Sequence, residues 1–181
     1  VIDGVAVRRY RYAPQSWETL AYSGTMASQA AGPKGLAALA GLVAAGAFAM
    51  RGSIAHDRPN VVHAHWWFPG GLSALGGAKQ VPLVTTLHGS DVRLTRGMPS
   101  ATALMRRVLR ASAQTTAVSG YLAEQVAALL PHSEIEVAPM PIDLSLFTPG
   151  DVEVARDRFL FVGRLNAQKG VAELLDALAG A

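Results

Sequence analysis

Short apolar, β-branched runs alternate along this chain with longer stretches of helical character. Residues 61–64 (VVHA) and 83–87 (LVTTL) are runs of the kind buried on both faces of a parallel sheet, and the segment between them is long enough for a helical crossover. The stretch 61–91 therefore reads as strand, loop, helix, strand, loop, the clearest βαβ unit in the sequence. Residues 114–118 (QTTAV) predict another buried strand. It runs straight into Ser119, which caps a helix whose apolar positions Leu122, Val126, Leu129 and Leu130 keep a 3.6-residue period. Residues 134–137 (EIEV) predict one more strand. At least four short strands alternating with helices imply an α/β fold: a Rossmann-like parallel sheet with right-handed crossovers and helices on both faces.

The same pattern organises the flanks. Asp3-Gly4 predicts a turn and residues 5–10 (VAVRRY) a short strand. Residues 36–50 (LAALAGLVAAGAFAM) are the most hydrophobic stretch and carry no charge. Fifteen residues at the helical rise reach only about 22 Å against roughly 30 Å of hydrocarbon, so a buried helix is expected rather than a span, continuing toward His56. Arg58-Pro59-Asn60 breaks it before the central strand. After Asp91 the chain is expected to be irregular to Gly97, then helical over 101–110 with Ser100 as N-cap. Arg106, Arg107 and Arg110 sit at the carboxyl end of that helix, where its dipole favours cations without any partner. Residues 138–157 carry three prolines, Pro139, Pro141 and Pro149, and little periodicity, which marks a linker. Beyond it residues 158–162 (RFLFV) predict a new buried strand, followed by a loop and a helix from Val171 onward.

Composition narrows the partners. Half of the 181 residues are apolar and 16% are charged, a globular balance. A net charge of +3 suits phosphate-bearing small molecules or an anionic membrane surface, and is too diffuse for a nucleic-acid stripe. Arg8, Arg9 and Arg11 read either as a basic edge for lipid headgroups or as a solvated strand end. With no cysteine there are no disulfides and no thiolate metal sites, which fits a reducing compartment.

Chemistry gathers at strand ends. His63, His65, Trp66 and Trp67 follow the first central strand, and His88-Gly89-Ser90-Asp91 follow the second. Ligands of open α/β sheets bind outside the carboxyl ends of the strands, so the two clusters suggest one shared site. A second candidate lies at Gly163-Arg164-Leu165-Asn166-Ala167-Gln168-Lys169-Gly170, where strand, glycine-flanked loop, two cations and a helix start form a phosphate-binding arrangement. The chain contains neither G-x-x-x-x-G-K-[ST] nor G-x-G-x-x-G, which weakens the P-loop and dinucleotide-dehydrogenase readings. His63 and His65 share a strand face and could share a metal, but no third ligand is placed and no metal is expected. Trp66, Trp67 and Phe68 either line a cleft or pack the top of the sheet.

In order along the chain, DGVAVRRYRYAP, VVHAHWWFPGG, VPLVTTLHGSDV, AVSGYLAEQV, VAPMPIDLSLFTP and FLFVGRLNAQKGVAELLDAL resemble the glycosyltransferases of family 4, which have the GT-B fold. The resemblance implies two Rossmann-like domains facing each other across a cleft. Residues 1–140 would be the amino-terminal, acceptor-side domain without its first strand, 141–157 the linker, and 158–181 the first βα unit of the donor-binding domain. It implies a retaining transfer of sugar from a nucleotide-diphosphate sugar to a glycan, lipid or small-molecule acceptor, with no resident cofactor. His88 would be the catalytic residue beside the transferred sugar. Gly163, Arg164, Lys169 and Gly170 would bind the donor diphosphate, and His65, Ser90, Asp91 and Ser119 would lie on the acceptor side. The family's acidic Glu-x7-Glu element lies beyond Ala181, so the fragment itself is expected to be inactive, and the whole protein to be cytoplasmic, in peripheral contact with the inner face of the membrane. A sugar-nucleotide 2-epimerase of the same architecture, or a non-catalytic sugar-nucleotide-binding module, are the alternatives.

Overall fold

The computed structural model describes residues 1–21, 26–30, 32–147, 158–165 and 167–180, apart from the side chains of residues 27, 28 and 168. The chain divides into two compact units, Val1–Pro141 and Ile142–Ala181. Most of the expected linker, residues 148–157, and Asn166 of the expected phosphate loop lie outside the described residues.

The first unit is built on four parallel strands in the order β1-β2-β3-β4. They are β1 (Val62–His65), β2 (Leu83–Leu87), β3 (Gln114–Ala117) and β4 (Glu136–Val137). All four fall within a residue or two of the apolar runs that predict them. The helices are α1 (Met26–Gln29), α2 (Gly32–Asp57), α3 (Leu72–Gly77), α4 (Ser90–Arg93), α5 (Pro99–Ala111) and α6 (Gly120–Leu129). Register puts His65, Thr86 and Thr116 side by side on one face, and leaves Ala64, Thr85, Leu87 and Ala117 on the other.

That second face carries the core. Leu87 and Ala117 meet Met105, Val108 and Leu109 of α5, Leu122 and Val126 of α6 and Leu130 just after it, while Ala64 and Leu83 meet Ala74 and Ala78 with Met50 and Ile54 of α2. A strand order that advances in one direction sends every right-handed crossover to the same side. The second helical layer of a doubly wound sheet arises where the order reverses, and these four strands do not reverse. Glycine permits close approach where helices pack: a Cβ at Gly71 would fall 2.6 Å from Val108 Cγ1, and one at Gly77 2.9 Å from Met50 Cβ.

Four sequence expectations for this unit need correction. Residues 5–10 form no strand, because a ladder needs a neighbour and none lies beside them among the described residues; an antiparallel Ile2–Val5 bridge closes around the expected Asp3-Gly4 turn. Of the three arginines in question, Arg8 pairs with Asp57, and Arg11 pairs with Glu18 at 2.7 Å. The apolar helix is also longer than its uncharged segment. At 26 residues it is about 39 Å long, long and apolar enough to cross a bilayer by length and composition. It is buried only along the stripe Gly35, Ala38, Leu42 and Gly46, with Leu36 and Phe48 exposed. Residues 91–97 are not irregular throughout, since α4 forms at once behind Gly89. Ser100 is not the cap of α5: Pro99 takes the first helical position, where its missing N–H and fixed φ cost nothing, and Met98 is the cap.

In the second unit residues 158–162 form no strand, again for want of a ladder partner among the described residues. Phe159, Leu160 and Val162 are exposed. The helix expected from Val171 is present as α7 (Val171–Ala179).

Candidate active site

The carboxyl ends of β1 and β2 are tied together by one carboxylate. Asp91 is 2% exposed. Its Oδ1 accepts the backbone N–H groups of His88 and Gly89, each at 3.0 Å, and its Oδ2 accepts that of Trp67 at 3.1 Å. The Trp67 indole Nε1–H donates to the Asp91 carbonyl at 2.6 Å. A buried anion satisfied by several N–H donors near a helix start is a stable arrangement, and it sets the path of both loops. The preceding Trp66 sits at φ 69°, in the left-handed region that a bulky side chain rarely adopts. Gly89, at φ 95°, supplies the turn that lets His88 leave β2 while Ser90 begins α4.

On this frame the histidines converge. His65 Nδ1 lies 2.8 Å from His88 Nε2. The His63 and His65 rings stack with centroids 4.4 Å apart, and Trp66 meets His88 edge-on at 6.2 Å. His63 Nε2 is 2.7 Å from Thr86 Oγ1, which in turn is 2.7 Å from Thr116 Oγ1. His88 is held below the ordinary imidazole range, first by burial and then by the neighbouring His65, with Asp91 opposing. Burial and His65 lower His63 in the same direction. Neutral rings with defined donor and acceptor nitrogens are suited to hydrogen-bonding hydroxyl groups. Among the described residues no three histidine or acidic side chains come together as a metal site.

The expected residues are therefore distributed unevenly. His65 and His88 are in direct contact. Asp91 is beside them but has spent its carboxylate on backbone, so its influence on an acceptor passes through the loop it orders. Ser90 is the first residue of α4, and Ser119 caps α6 by accepting from Leu122 N at 3.3 Å. Sequence reading missed Thr86 and Thr116; of its two readings for Trp67 the structure gives packing, with the ring buried in the core. Threonines at register-matched positions were the available signal for the two it missed. A cavity of about 330 Å³ lined by Arg106, Arg110, His132 and Glu134 lies at the amino ends of β3 and β4, the wrong end of the sheet for the ligands of such folds.

In the second unit, Gly163, Arg164 and Lys169 are exposed, and Gly170 caps α7 at φ 66°, in the left-handed region that favours glycine. A helix start such as that of α7, with Arg164 and Lys169 preceding it in sequence, is suited to an anion.

Comparison with known proteins decides the family. The model of glycosyltransferase family 4 matches residues 9–146. The chain belongs to glycosyltransferase family 4. Its relatives include a glycosyltransferase assigned to teichuronic acid biosynthesis in Bacillus subtilis, 33% identical over 134 residues, covering 66% of this chain and 34% of that protein. A D-inositol 3-phosphate glycosyltransferase of Segniliparus rotundus is 31% identical over 154 residues, covering 72% and 34% respectively. An uncharacterized glycosyltransferase of Methanocaldococcus jannaschii is 28% identical over 121 residues, covering 66% and 33%. The chain spans about a third of the length of these family 4 relatives.

Proposed function

We propose that the whole protein transfers a sugar, with retention, from a nucleotide-diphosphate sugar to a hydroxyl of a glycan, lipid or small-molecule acceptor. The observation that carries this reading is the convergence of His65, His88 and the Asp91-ordered loop at the carboxyl ends of β1 and β2, in a chain of family 4. In the reaction the bond between the anomeric carbon and the diphosphate oxygen breaks and a bond to the acceptor oxygen replaces it. The acceptor's hydroxyl proton is lost to the departing diphosphate. Negative charge grows on that leaving group, and Arg164 and Lys169, with the backbone of Gly163 and Gly170, are the groups suited to receive it. Arginine gives a planar two-point contact and lysine a compact charge. His88 hydrogen-bonds the transferred sugar, and Ser90 and Ser119 stand on the acceptor side. No resident cofactor or metal is assigned to the reaction, because Arg164 and Lys169 supply the positive charge that the departing diphosphate requires.

Transfer by these 181 residues alone is not expected, since Arg164 and Lys169 stand on a segment whose strand does not form. We place the whole protein in the cytoplasm and in peripheral contact with the membrane, the contact being supported by the exposed Leu36 and Phe48 on α2. The test is nucleotide-diphosphate release from a panel of nucleotide sugars, with and without glycan or lipid acceptors. Release that depends on an acceptor, with sugar recovered on it, is expected. Release without an acceptor and without transfer would overturn the reading.

A further inference from the structure

We propose that His65 is a positioning residue for His88: the hydrogen bond between His65 Nδ1 and His88 Nε2 selects one tautomer and one ring plane of His88 and leaves its Nδ1 as the nitrogen that accepts from a substrate hydroxyl. The starting point is stoichiometric. Two neutral imidazole nitrogens 2.8 Å apart share one proton, so one donates and the other accepts. If His88 Nε2–H donates, both rings hold the Nε2–H tautomer that a free neutral imidazole prefers. The opposite direction would put both in the less favoured one. The first arrangement is therefore assigned, and it consumes Nε2 of His88. No protein group bonds His88 Nδ1 among the described residues, where the backbone N–H of His88 is already committed to Asp91.

His65 is itself held so that it can do this. Its ring stacks on His63, whose Nε2 is anchored to Thr86, and Thr86 is anchored to Thr116 in the next strand. The chain of contacts runs across three strands and ends on His88, so the orientation of that ring is set by the sheet rather than by its own loop alone. The charged and titratable groups facing His88 are His63, His65 and Asp91. A proton taken up at His88 Nδ1 would remove the nitrogen that accepts from a substrate hydroxyl while its Nε2–H still donated to His65.

The inference rests on the glycosyltransferase reading for its effect on rate, but not for the hydrogen bond itself, and the two are tested separately. In the 181-residue chain, long-range nitrogen–proton correlation spectra at neutral pH should show His88 protonated at Nε2 and His65 unprotonated at Nδ1. Averaged tautomers on either ring, as in a free imidazole, would overturn the assignment whether or not the protein transfers sugar. In the whole protein, His65→Phe keeps a stacking ring and loses the acceptor, and kcat should fall about tenfold while nucleotide-diphosphate affinity stays put. Asparagine places an amide oxygen where Nδ1 stood, whereas glutamine reaches further, to the position of Nε2. His65→Asn should therefore recover most of the rate and His65→Gln should not. Full turnover in His65→Phe, or equal loss in the asparagine and glutamine variants, would show that His65 acts in some other way.

Discussion

Among the described residues, nearly every group around His88 is tied to another in the same unit, whereas few are around Arg164. The first region draws its order from Asp91, from the paired strands beneath it and from the threonine–histidine contacts across them. The second consists of an unladdered segment with Phe159, Leu160 and Val162 exposed, leading through a short turn into α7. The same kind of sequence signal, an apolar run ending in glycine and polar residues, predicts both. Only where neighbouring strands exist to pair with does the run become a strand, so the ladder is a tertiary property and local pattern alone does not secure it.

The widest contrast should appear in backbone amide exchange. Val84 to Leu87 are hydrogen-bonded between β1 and β3, and their amides should exchange about 10³-fold more slowly than those of Phe159 to Val162, or more slowly still. Equal protection in the two segments would remove the distinction. Next in size is the clamp. Asp91→Ala strands three backbone N–H donors and should lower the unfolding free energy of the first unit by about 2–3 kcal/mol, read from urea titrations. Asp91→Asn keeps one acceptor oxygen and should cost less. If alanine were neutral there, the carboxylate would not be what orders the loops.

The smallest effect is on pH dependence. His63 and His88 resist protonation in the folded state, chiefly through burial. Below about pH 6.5 the unfolded chain takes up more protons than the folded one, so stability is retained at neutral pH and lost as pH falls through that point. Solvent screens both rings, and the loss should stay under about 1 kcal/mol. Urea midpoints at pH 7.5 and 5.5 measure it, the lower value being above the range where Glu18, Asp57 and Asp143, all held low by hydrogen bonds, begin to titrate. A midpoint that rises on acidification would contradict the sign.

Several of these features could be read from residues and several could not. LVTTL is built of apolar and β-branched residues, and its strand has the limits the pattern implies. VAVRRY has a similar pattern but no neighbouring strand among the described residues, so beyond the Val5 bridge it forms no ladder. The Gly-Ser-Asp sequence after His88 signals a turn, but not the helix α4 that follows. It does not reveal that the same carboxylate reaches Trp67, 24 positions away. His65 and His88 could be assigned to one sheet edge from the parallel order of their strands, but their contact depends on register, with His65 opposite Thr86 and His88 two residues further along. The uncharged segment of α2 understated the helix, because Lys34 and Arg51 lie within it and interrupt only the charge pattern.

The division of labour between the two regions is tested most directly by measuring nucleotide-diphosphate affinity and turnover together for His88→Ala, Arg164→Ala and Lys169→Ala in the whole protein. The arginine and lysine variants should lose about 10²–10³ in kcat/KM, the scale for removing one group that stabilises developing charge. His88→Ala should bind the nucleotide diphosphate normally and fail chiefly in transfer. Arginine and lysine variants that bind and turn over normally, or a His88→Ala variant that loses nucleotide binding while its bound donor still reacts, would contradict this division.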